Sequence, residues 1–227
     1  MAYGACNVTF DWSIALETLP ALLSALRITA FATVLGMLAA AVLGLVWAIA
    51  RRSPKRMVSS LAGLAVEFIR STPLLIQIYF LFYVLPEIGI VMSPMFTGVI
   101  ALGLHYSAYL SEVYRAGVEG VPKGQWEAAR ALNLGRLETW RLVILPQALP
   151  PVVPAMGNYL IAMFKDTPML SAITVLELLQ TAKVIGAERF RYLEPLTLVG
   201  LLFLLLSLGA SLLVRWGEGY LGKAQAR

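Results

Sequence analysis

The stretch EAARALNLGRLETWRLVILP, residues 127–146, reads like two short soluble helices within a chain that is otherwise strongly apolar. The protein has 227 residues, of which 59% are hydrophobic and only 14% are charged. Soluble domains carry about a quarter charged residues, so this composition is typical of an integral membrane protein. The first question that the sequence raises is therefore what a charged segment does in such a chain.

Apolar runs on both sides of this segment are long enough to cross a bilayer, which takes about twenty residues per helix. They predict an all-α integral membrane protein with about five transmembrane helices in a single domain, residues 1–227. The predicted spans are residues 19–50, 57–85, 95–118, 146–179 with an interruption near 165–168, and 195–214. The charged segment, about residues 122–145, connects the third span to the fourth.

Lysine and arginine are distributed unequally about these spans. Twelve lie on the side that holds residues 122–145, and three, Lys183, Arg189 and Arg191, lie on the other. Because basic residues accumulate in cytoplasmic loops, we predict an outside N-terminus and a cytoplasmic C-terminus. The same placement accounts for the net charge of +5 without a nucleic-acid partner. The one cysteine, Cys6, is interpreted as an incidental thiol.

Two Thr-Pro dipeptides stand beside charges within apolar runs, in RSTPLLIQ (residues 70–77) and KDTPMLSAI (residues 165–173). Proline breaks helices, and a broken helix at membrane depth is tolerated where it lines a watery cavity or is buried in protein. We therefore predict a translocation path near the breaks. The alternatives are packed proline kinks, a packing role for His105 and interfacial charges such as Arg27. The candidate path residues are Glu67, Arg70, Thr72, Gln77, His105, Glu112, Lys165, Asp166, Thr167 and Glu177.

No pattern in the sequence predicts covalent chemistry, a metal site or a bound cofactor. The stretch GEGYLGKA, residues 217–224, has the Gly and Lys spacing of a phosphate loop, but Ala224 stands where Ser or Thr would hold magnesium. We therefore expect a transport subunit rather than an enzyme, with energy from an ion gradient or from another subunit. The small residues Gly36, Ala40 and Gly44 favour close helix packing, within the chain or between subunits.

The charged segment predicts a helix, a sharp turn and a second helix. GQWEAARAL follows Pro122, which favours a helix start, and Trp126, Ala129 and Leu132 recur on one face. Asn133 accepts the left-handed conformation that ends many helices. Such a unit is typical of a docking surface for a soluble partner or, alternatively, of a loop that rests on the membrane.

The turn has a second permissive position at Gly135, after which RLETWRLVIL leads to Pro146 as a second amphipathic helix. The whole stretch EAARALNLGRLETWRLVILPQAL resembles the EAA motif of permease subunits in ATP-binding-cassette (ABC) importers. Residues 127–129 match its Glu-Ala-Ala, and residues 143–146 match its closing apolar-x-Leu-Pro. The motif glycine is replaced here by Asn133.

Three further stretches are similar to signatures of the polar amino acid uptake branch of these permeases, which includes histidine permeases and permeases for ectoine-like compatible solutes. They are FIRSTPLLIQIYFLFYVLP, AYLSEVYRAGVEGVPKGQWEAA and FKDTPMLSAITVLEL. The last departs from the usual Lys-Asp-Thr-Ser by a proline, which bears on the solute. The resemblance covers about residues 19–213.

The resemblance implies a type I ABC importer permease (MetI-like) fold in the bacterial cytoplasmic (inner) membrane. It implies two ATPase subunits that use ATP and Mg²⁺, a second permease subunit, identical or homologous, and an extracytoplasmic solute-binding protein. It implies a polar amino acid or related zwitterion, such as an ectoine- or betaine-like solute, as cargo. The residues it assigns to ATPase coupling are Gln125, Glu127, Ala128, Ala129, Asn133, Gly135, Leu145 and Pro146.

Two rival functions follow from the residues without the resemblance. A self-contained, ion-coupled amino acid carrier would use the charges within the membrane and need no ATPase. A membrane scaffold would dock a cytosolic protein on the charged segment and move no solute, although it would have no need of broken helices.

Overall fold

The computed structural model describes residues 9–225, with side chains described as far as residue 217. Cys6 and the side chains of the phosphate-loop-like stretch after Gly217 lie outside this range. The described part is helical and contains no strand. Its helices are α1 (Trp12–Arg51), α2 (Arg56–Ser71), α3 (Leu74–Tyr79), α4 (Pro94–Glu119), α5 (Lys123–Ala131), α6 (Arg136–Glu138), α7 (Leu145–Asp166), α8 (Leu178–Glu188) and α9 (Leu193–Gln225).

Irregular helical turns extend three of these elements. A π-helical turn (Phe80–Val84) and a 3-10 turn (Leu85–Ile88) continue α3, and a second π-helical turn (Thr139–Ile144) joins α6 to α7. A 3-10 turn (Thr167–Ile173) follows α7 directly. Such turns inside helices are common at functional sites, and one of the four, Thr167–Ile173, lies at a predicted break.

Helix α1 begins at Trp12, seven residues before the predicted span, because Asp11 caps it. The Asp11 carboxylate accepts hydrogen bonds from the Ser13 hydroxyl at 2.6 Å and from the Ser13 amide at 2.9 Å. These two bonds hold the pKa of Asp11 below its ordinary value. With 40 residues, α1 is about 60 Å long, roughly twice the hydrocarbon thickness of a bilayer.

Small residues let α1 lie directly against α4. Gly36, Ala40 and Gly44 are buried, and a Cβ atom on Gly44 would lie 2.9 Å from the Ser107 carbonyl oxygen. The Trp47 indole then donates to the Ser107 hydroxyl at 3.1 Å. Of the two interpretations of this pattern, close packing within the chain is confirmed.

The helices long and apolar enough to cross a membrane, by length and composition within the described range, are α1 and α9. Two bent pairs also qualify: α2 with the α3 segment, bent by 104°, and the α6–α7 segment with α8, bent by 48°. Helix α4 is long enough but not apolar enough to qualify, because it carries polar side chains. Residues along much of its length are buried against other helices. Five spans and the direction of the termini therefore stay predictions.

Two predicted boundaries differ from the structure. The span 57–85 is not one helix, since α2 and α3 are separated at Thr72 and Pro73. The interruption near 165–168 extends through 177, and α8 then continues to Glu188, beyond the predicted end at 179. The apolar run ends earlier than the helix because the second half of α8 is amphipathic, with Ala182 and Gly186 buried.

The largest hydrophobic core surrounds α4. Leu102 and Leu110 of α4 are fully buried, and they pack with Ile78 after the first break and with Leu170 after the second. Helix α4 is thus the element against which both broken segments are placed.

Candidate functional site

The first break is closed by the side chain of Gln77. Its amide nitrogen donates to the Ile69 carbonyl at 2.7 Å, to the Thr72 carbonyl at 3.2 Å and to the Thr72 hydroxyl at 2.6 Å. These are groups that the broken end of α2 leaves without helical partners. The Gln77 carbonyl oxygen lies 3.2 Å from His105 Nδ1, so that nitrogen must carry the proton and donate.

The second break is tied to the same helix by the residue that follows His105. The Tyr106 hydroxyl donates to Asp166 Oδ2 at 2.6 Å, and Asp166 is the last residue of α7. Thr167 is fully buried and donates to the Phe164 carbonyl at 2.7 Å. Adjacent residues of α4 therefore hold the two breaks together.

A cluster of tyrosines joins these contacts. The Tyr109 ring lies 5.6 Å from the Tyr159 ring of α7 and 6.2 Å from the Tyr106 ring, measured between centroids. The His105 ring lies 5.2 Å from Tyr109. Aromatic faces carry partial negative charge, so this cluster offers surfaces that attract cations. The guanidinium of Arg70 occupies one of them, 5.5 Å from the centroid of Tyr109.

Glu112 of α4 organises the arginines nearby. It pairs with Arg51 at 2.5 Å and with Arg115 at 2.7 Å, and Arg115 also pairs with Glu119. Its distance to Arg70 is longer, 3.5 Å, and Arg70 is 3.8 Å from Glu67. Glu112 is therefore fully neutralised by two close arginines, whereas Arg70 is held loosely.

Of three further predicted path residues, Glu67 lies at the exposed margin of this site, 3.8 Å from Arg70, and the other two lie apart from it. Glu67 is exposed on α2, and Lys165 is exposed with no ion pair in the described part of the chain. Glu177 is fully buried and caps α8, accepting from the Leu179 and Gln180 amides at 2.8 and 2.7 Å. The capping bonds give Glu177 a structural reason for its position.

Arg51, Arg115 and three tyrosines belong to the site although they are not among the residues predicted from the sequence. The spacing of polar residues in α4 was a sequence signal for part of this site. His105, Tyr109 and Glu112 recur at helical spacing, so the polar face of α4 could have been read from its sequence. The contact of Tyr159 with this cluster could be found only from the three-dimensional structure, since Tyr159 lies on a different helix, α7.

The predicted coupling segment forms α5, a tight turn, and the α6 segment that leads into α7. Glu127 and Ala128 are exposed, while Ala129 is 1% exposed. Leu132, which was predicted to share an apolar face with Trp126 and Ala129, is 73% exposed and does not pack with them. The helix ends at Ala131, one residue before Leu132, so the turn takes that side chain away from the face.

The turn after α5 has the predicted left-handed residue. Asn133 has φ of 53°, and the Leu134 amide donates back to the Ala129 carbonyl at 3.0 Å, the pattern of a Schellman end. Gly135, the second permissive position, has an extended conformation, φ −62° and ψ 162°, and so does not use the left-handed region that glycine permits. Its amide donates to Glu138 at 2.9 Å and starts α6.

The ends of the segment are fastened to α7. The Gln147 side chain donates to Gln125 Oε1 at 3.3 Å, which ties α5 to the first turn of α7. Leu145 and Pro146 begin α7, and both are exposed. Movement of α5 would therefore be transmitted directly to the helix that ends at Asp166.

Replacing Asn133 by glycine tests whether its role is conformational. We expect Asn133→Gly to leave coupling of ATP hydrolysis to uptake nearly intact, since glycine adopts φ near 53° without strain. Asn133→Val should weaken coupling, because a β-branched residue in this conformation costs about 1–3 kcal/mol. The measurement is solute uptake per ATP hydrolysed in liposomes; equal losses in both variants would show that the amide group itself is needed.

Comparison with known proteins gives a consistent result. Residues 32–218 match the family described as binding-protein-dependent transport system inner membrane component. The chain is 50% identical over 205 residues, 90% of its length and 89% of the relative, to a probable amino-acid ABC transporter permease of Sinorhizobium fredii. It is 34% identical to the glutamine transport system permease of Escherichia coli, with 91% of this chain and 95% of that one covered.

Solved structures agree with this assignment. A crystal structure of an amino acid ABC transporter with histidines superimposes with a TM-score of 0.89 at 32% identity, covering 94% of this chain and all of that one. An inward-facing methionine ABC transporter has a TM-score of 0.64 at 18% identity over 92% of this chain and 99% of that one, and supports the fold alone.

These similarities confirm the MetI-like permease fold that the sequence predicted, and the inner membrane as the location of the family. Permeases of such systems work with an ATPase and a binding protein, and they are transport subunits rather than enzymes. The chain belongs to the binding-protein-dependent transport system inner membrane component family and is a permease subunit of an ABC importer.

Proposed function

We propose that this permease carries a polar amino acid or a related zwitterion into the cytoplasm. It works with two ATPase subunits, a second permease subunit and an extracytoplasmic solute-binding protein. Relatives named for glutamine, at 34% identity, and for L-cystine, at 36% identity, support the solute class. The excess of basic residues beside α5 supports a cytoplasmic position for the coupling segment, with the N-terminus outside.

The observation that carries the proposal is the joining of both helix breaks on α4. Gln77 at the first break contacts His105, and Asp166 at the second accepts from Tyr106. Broken helices that meet at membrane depth are a common way to form a solute site. Here the residues that join the two breaks, Gln77, His105, Tyr106 and Asp166, all have polar side chains.

Arg70 is the group best suited to a solute carboxylate. Its side chain is 36% exposed, and its contacts to Glu112 and Glu67 are the longest ion pairs of the cluster. Since Arg51 and Arg115 already pair with Glu112, and the Glu67 carboxylate is 70% exposed to solvent, Arg70 can turn to a ligand without leaving a buried carboxylate unpaired. A guanidinium binds carboxylates through two parallel hydrogen bonds, which gives the contact direction as well as strength.

The solute ammonium group has a complementary partner. Asp166 supplies a carboxylate, and the tyrosine rings between it and Arg70 supply faces that attract cations. A cation and an anion joined through an aromatic cluster match the two charges of a zwitterion. The same arrangement would suit an N-methylated zwitterion, so compatible solutes remain within the proposed class.

The test is ATP hydrolysis in liposomes that contain the chain, its ATPase and its binding protein. We expect one or more polar amino acids or compatible solutes to stimulate hydrolysis, while apolar amino acids such as leucine do not. Stimulation by sugars or metal ions, but by no zwitterion, would contradict the proposed solute class while leaving the family assignment intact.

A further inference from the structure

A cavity of about 380 Å³ lies in the coupling segment, apart from the path. This volume is at the lower end of the range for small-molecule sites, about 300–1,000 Å³. The rings of its two tryptophans meet edge to face, with centroids 5.5 Å apart. The lining residues are Trp126, Arg130, Leu134, Arg136, Thr139 and Trp140.

The cavity is cationic. Two arginines are among its lining residues, and no acidic residue is. Within the described range, neither Arg130 nor Arg136 forms an ion pair, and Arg130 makes only a long hydrogen bond of 3.4 Å to the Trp126 carbonyl. Of the acids on the same elements, Glu138 is occupied by the Gly135 amide, and Glu127 does not line the cavity. The chemistry that fits is an anion.

The position of the cavity points to the membrane surface. Arg52 follows the last residue of α1, and its guanidinium lies 5.8 Å from the centroid of the Trp140 ring. Arg52 also forms no ion pair in the described part of the protein. One wall of the cavity is therefore level with the end of a membrane helix, where tryptophan and arginine are both favoured.

We propose that this cavity binds the phosphate headgroup of an anionic phospholipid from the cytoplasmic leaflet. Phosphate oxygens accept paired hydrogen bonds from arginine, and the indole rings suit the boundary between water and lipid. Basic pockets on the cytoplasmic side of membrane proteins bind such headgroups. The inference rests on the proposed function, because it takes the coupling segment to face the cytoplasm.

The consequence concerns regulation of the coupling segment. A headgroup between α5 and Trp140 would hold the coupling helix against the membrane end of α1. Uptake would then depend on anionic lipid even though no lipid touches the solute. Two other anions could occupy the cavity, a free phosphate or a carboxylate of the ATPase, and they are separate outcomes of the test.

The experiment is native mass spectrometry of the purified full-length chain, titrated with phosphatidylglycerol or phosphatidylcholine. We expect the wild-type chain to bind phosphatidylglycerol at least about tenfold more tightly than phosphatidylcholine. The variant Arg130→Gln/Arg136→Gln should lose about fivefold in phosphatidylglycerol affinity for each arginine removed. Arg130→Lys/Arg136→Lys keeps both charges and should retain most of the affinity.

The control is Arg56→Gln/Lys123→Gln, which removes two exposed basic residues from the same side of the protein without touching the cavity. Equal affinity losses in control and cavity variants would overturn the proposal, as would equal binding of both lipids by the wild-type chain.

Full displacement of the lipid by millimolar inorganic phosphate would overturn the proposal in favour of a free anion. If Arg130→Gln/Arg136→Gln left lipid binding unchanged but lost binding of the ATPase in a separate co-purification, the proposal would be overturned in favour of an ATPase carboxylate.

The titration is made on the chain alone, so its result is independent of transport. A chain that binds phosphatidylglycerol in the cavity but fails to transport amino acids would contradict the proposed function only. A chain that transports equally well in liposomes with and without anionic lipid, and shows no selective lipid binding, would contradict the lipid site only.

Discussion

The variant Glu127→Lys is expected to remain in the membrane and to lose uptake. Glu127 is exposed on α5 and makes no ion pair in the described part of the chain, so the substitution should not disturb the fold. In the assembly that we propose, this face enters the ATPase, and a reversed charge there costs about 2–5 kcal/mol. We expect solute-stimulated ATP hydrolysis and uptake to fall by at least about tenfold.

The matched control for this prediction is Glu188→Lys. Glu188 is also exposed and helical, but it ends α8, far from the coupling segment in the chain. Both variants should show the same amount of folded protein by size-exclusion chromatography. Wild-type uptake by Glu127→Lys in reconstituted liposomes would contradict the role of α5 in coupling.

Arg70→Gln should weaken recognition of the solute while sparing the ATPase. Glu112 keeps Arg51 and Arg115 at 2.5 and 2.7 Å, so the variant retains its charge balance around α4. A solute carboxylate would lose a charged hydrogen-bond partner, a loss of about 1.5–3 kcal/mol. We expect uptake at low solute concentration to fall by about ten- to a hundredfold, with basal ATP hydrolysis nearly unchanged.

Arg27→Gln is the control, since Arg27 is another arginine within an apolar run and is exposed on α1. It should retain uptake within about a factor of two of the wild type, as expected for an exposed surface substitution. If Arg27→Gln and Arg70→Gln reduced uptake equally, the loss would reflect general charge within the membrane rather than a carboxylate contact at Arg70.

The local features of this chain could be predicted because each rests on a neighbouring residue. Thr-Pro at residues 72–73 breaks the second span, and Asn133 adopts φ of 53° at the end of α5. Proline lacks an amide proton wherever it occurs, and asparagine tolerates the left-handed region in many contexts. The packing of Gly36 and Gly44 against α4 follows in the same way from the absence of a side chain.

The contacts that create the site could not be predicted in this way. Gln77 and His105 are 28 residues apart, and Tyr106 and Asp166 are 60 apart, so these pairs depend on the packing of whole helices. The presence of a charged residue beside a helix break did not by itself identify the residues of the site. Glu177 is buried as a helix cap, and Lys165 is exposed, although both stand beside a break in the sequence.

The boundary errors have the same origin. An apolar run marks what a helix can bury, whereas caps and tertiary contacts decide where it begins and ends. Asp11 starts α1 before the apolar run, and the Glu177 cap starts α8 within the predicted fourth span. In both cases a carboxylate that accepts backbone amides outweighs the hydrophobic pattern.

We propose that energy enters this chain from a separate ATPase through α5. This proposal is tested most directly by comparing uptake in two liposome preparations, one with the purified chain alone and one with the chain, its ATPase and its binding protein. We predict uptake only in the second, only with ATP available to the ATPase, and unchanged when proton and sodium gradients are collapsed. Uptake by the chain alone under an ion gradient, without ATP, would contradict entry of energy through a separate ATPase.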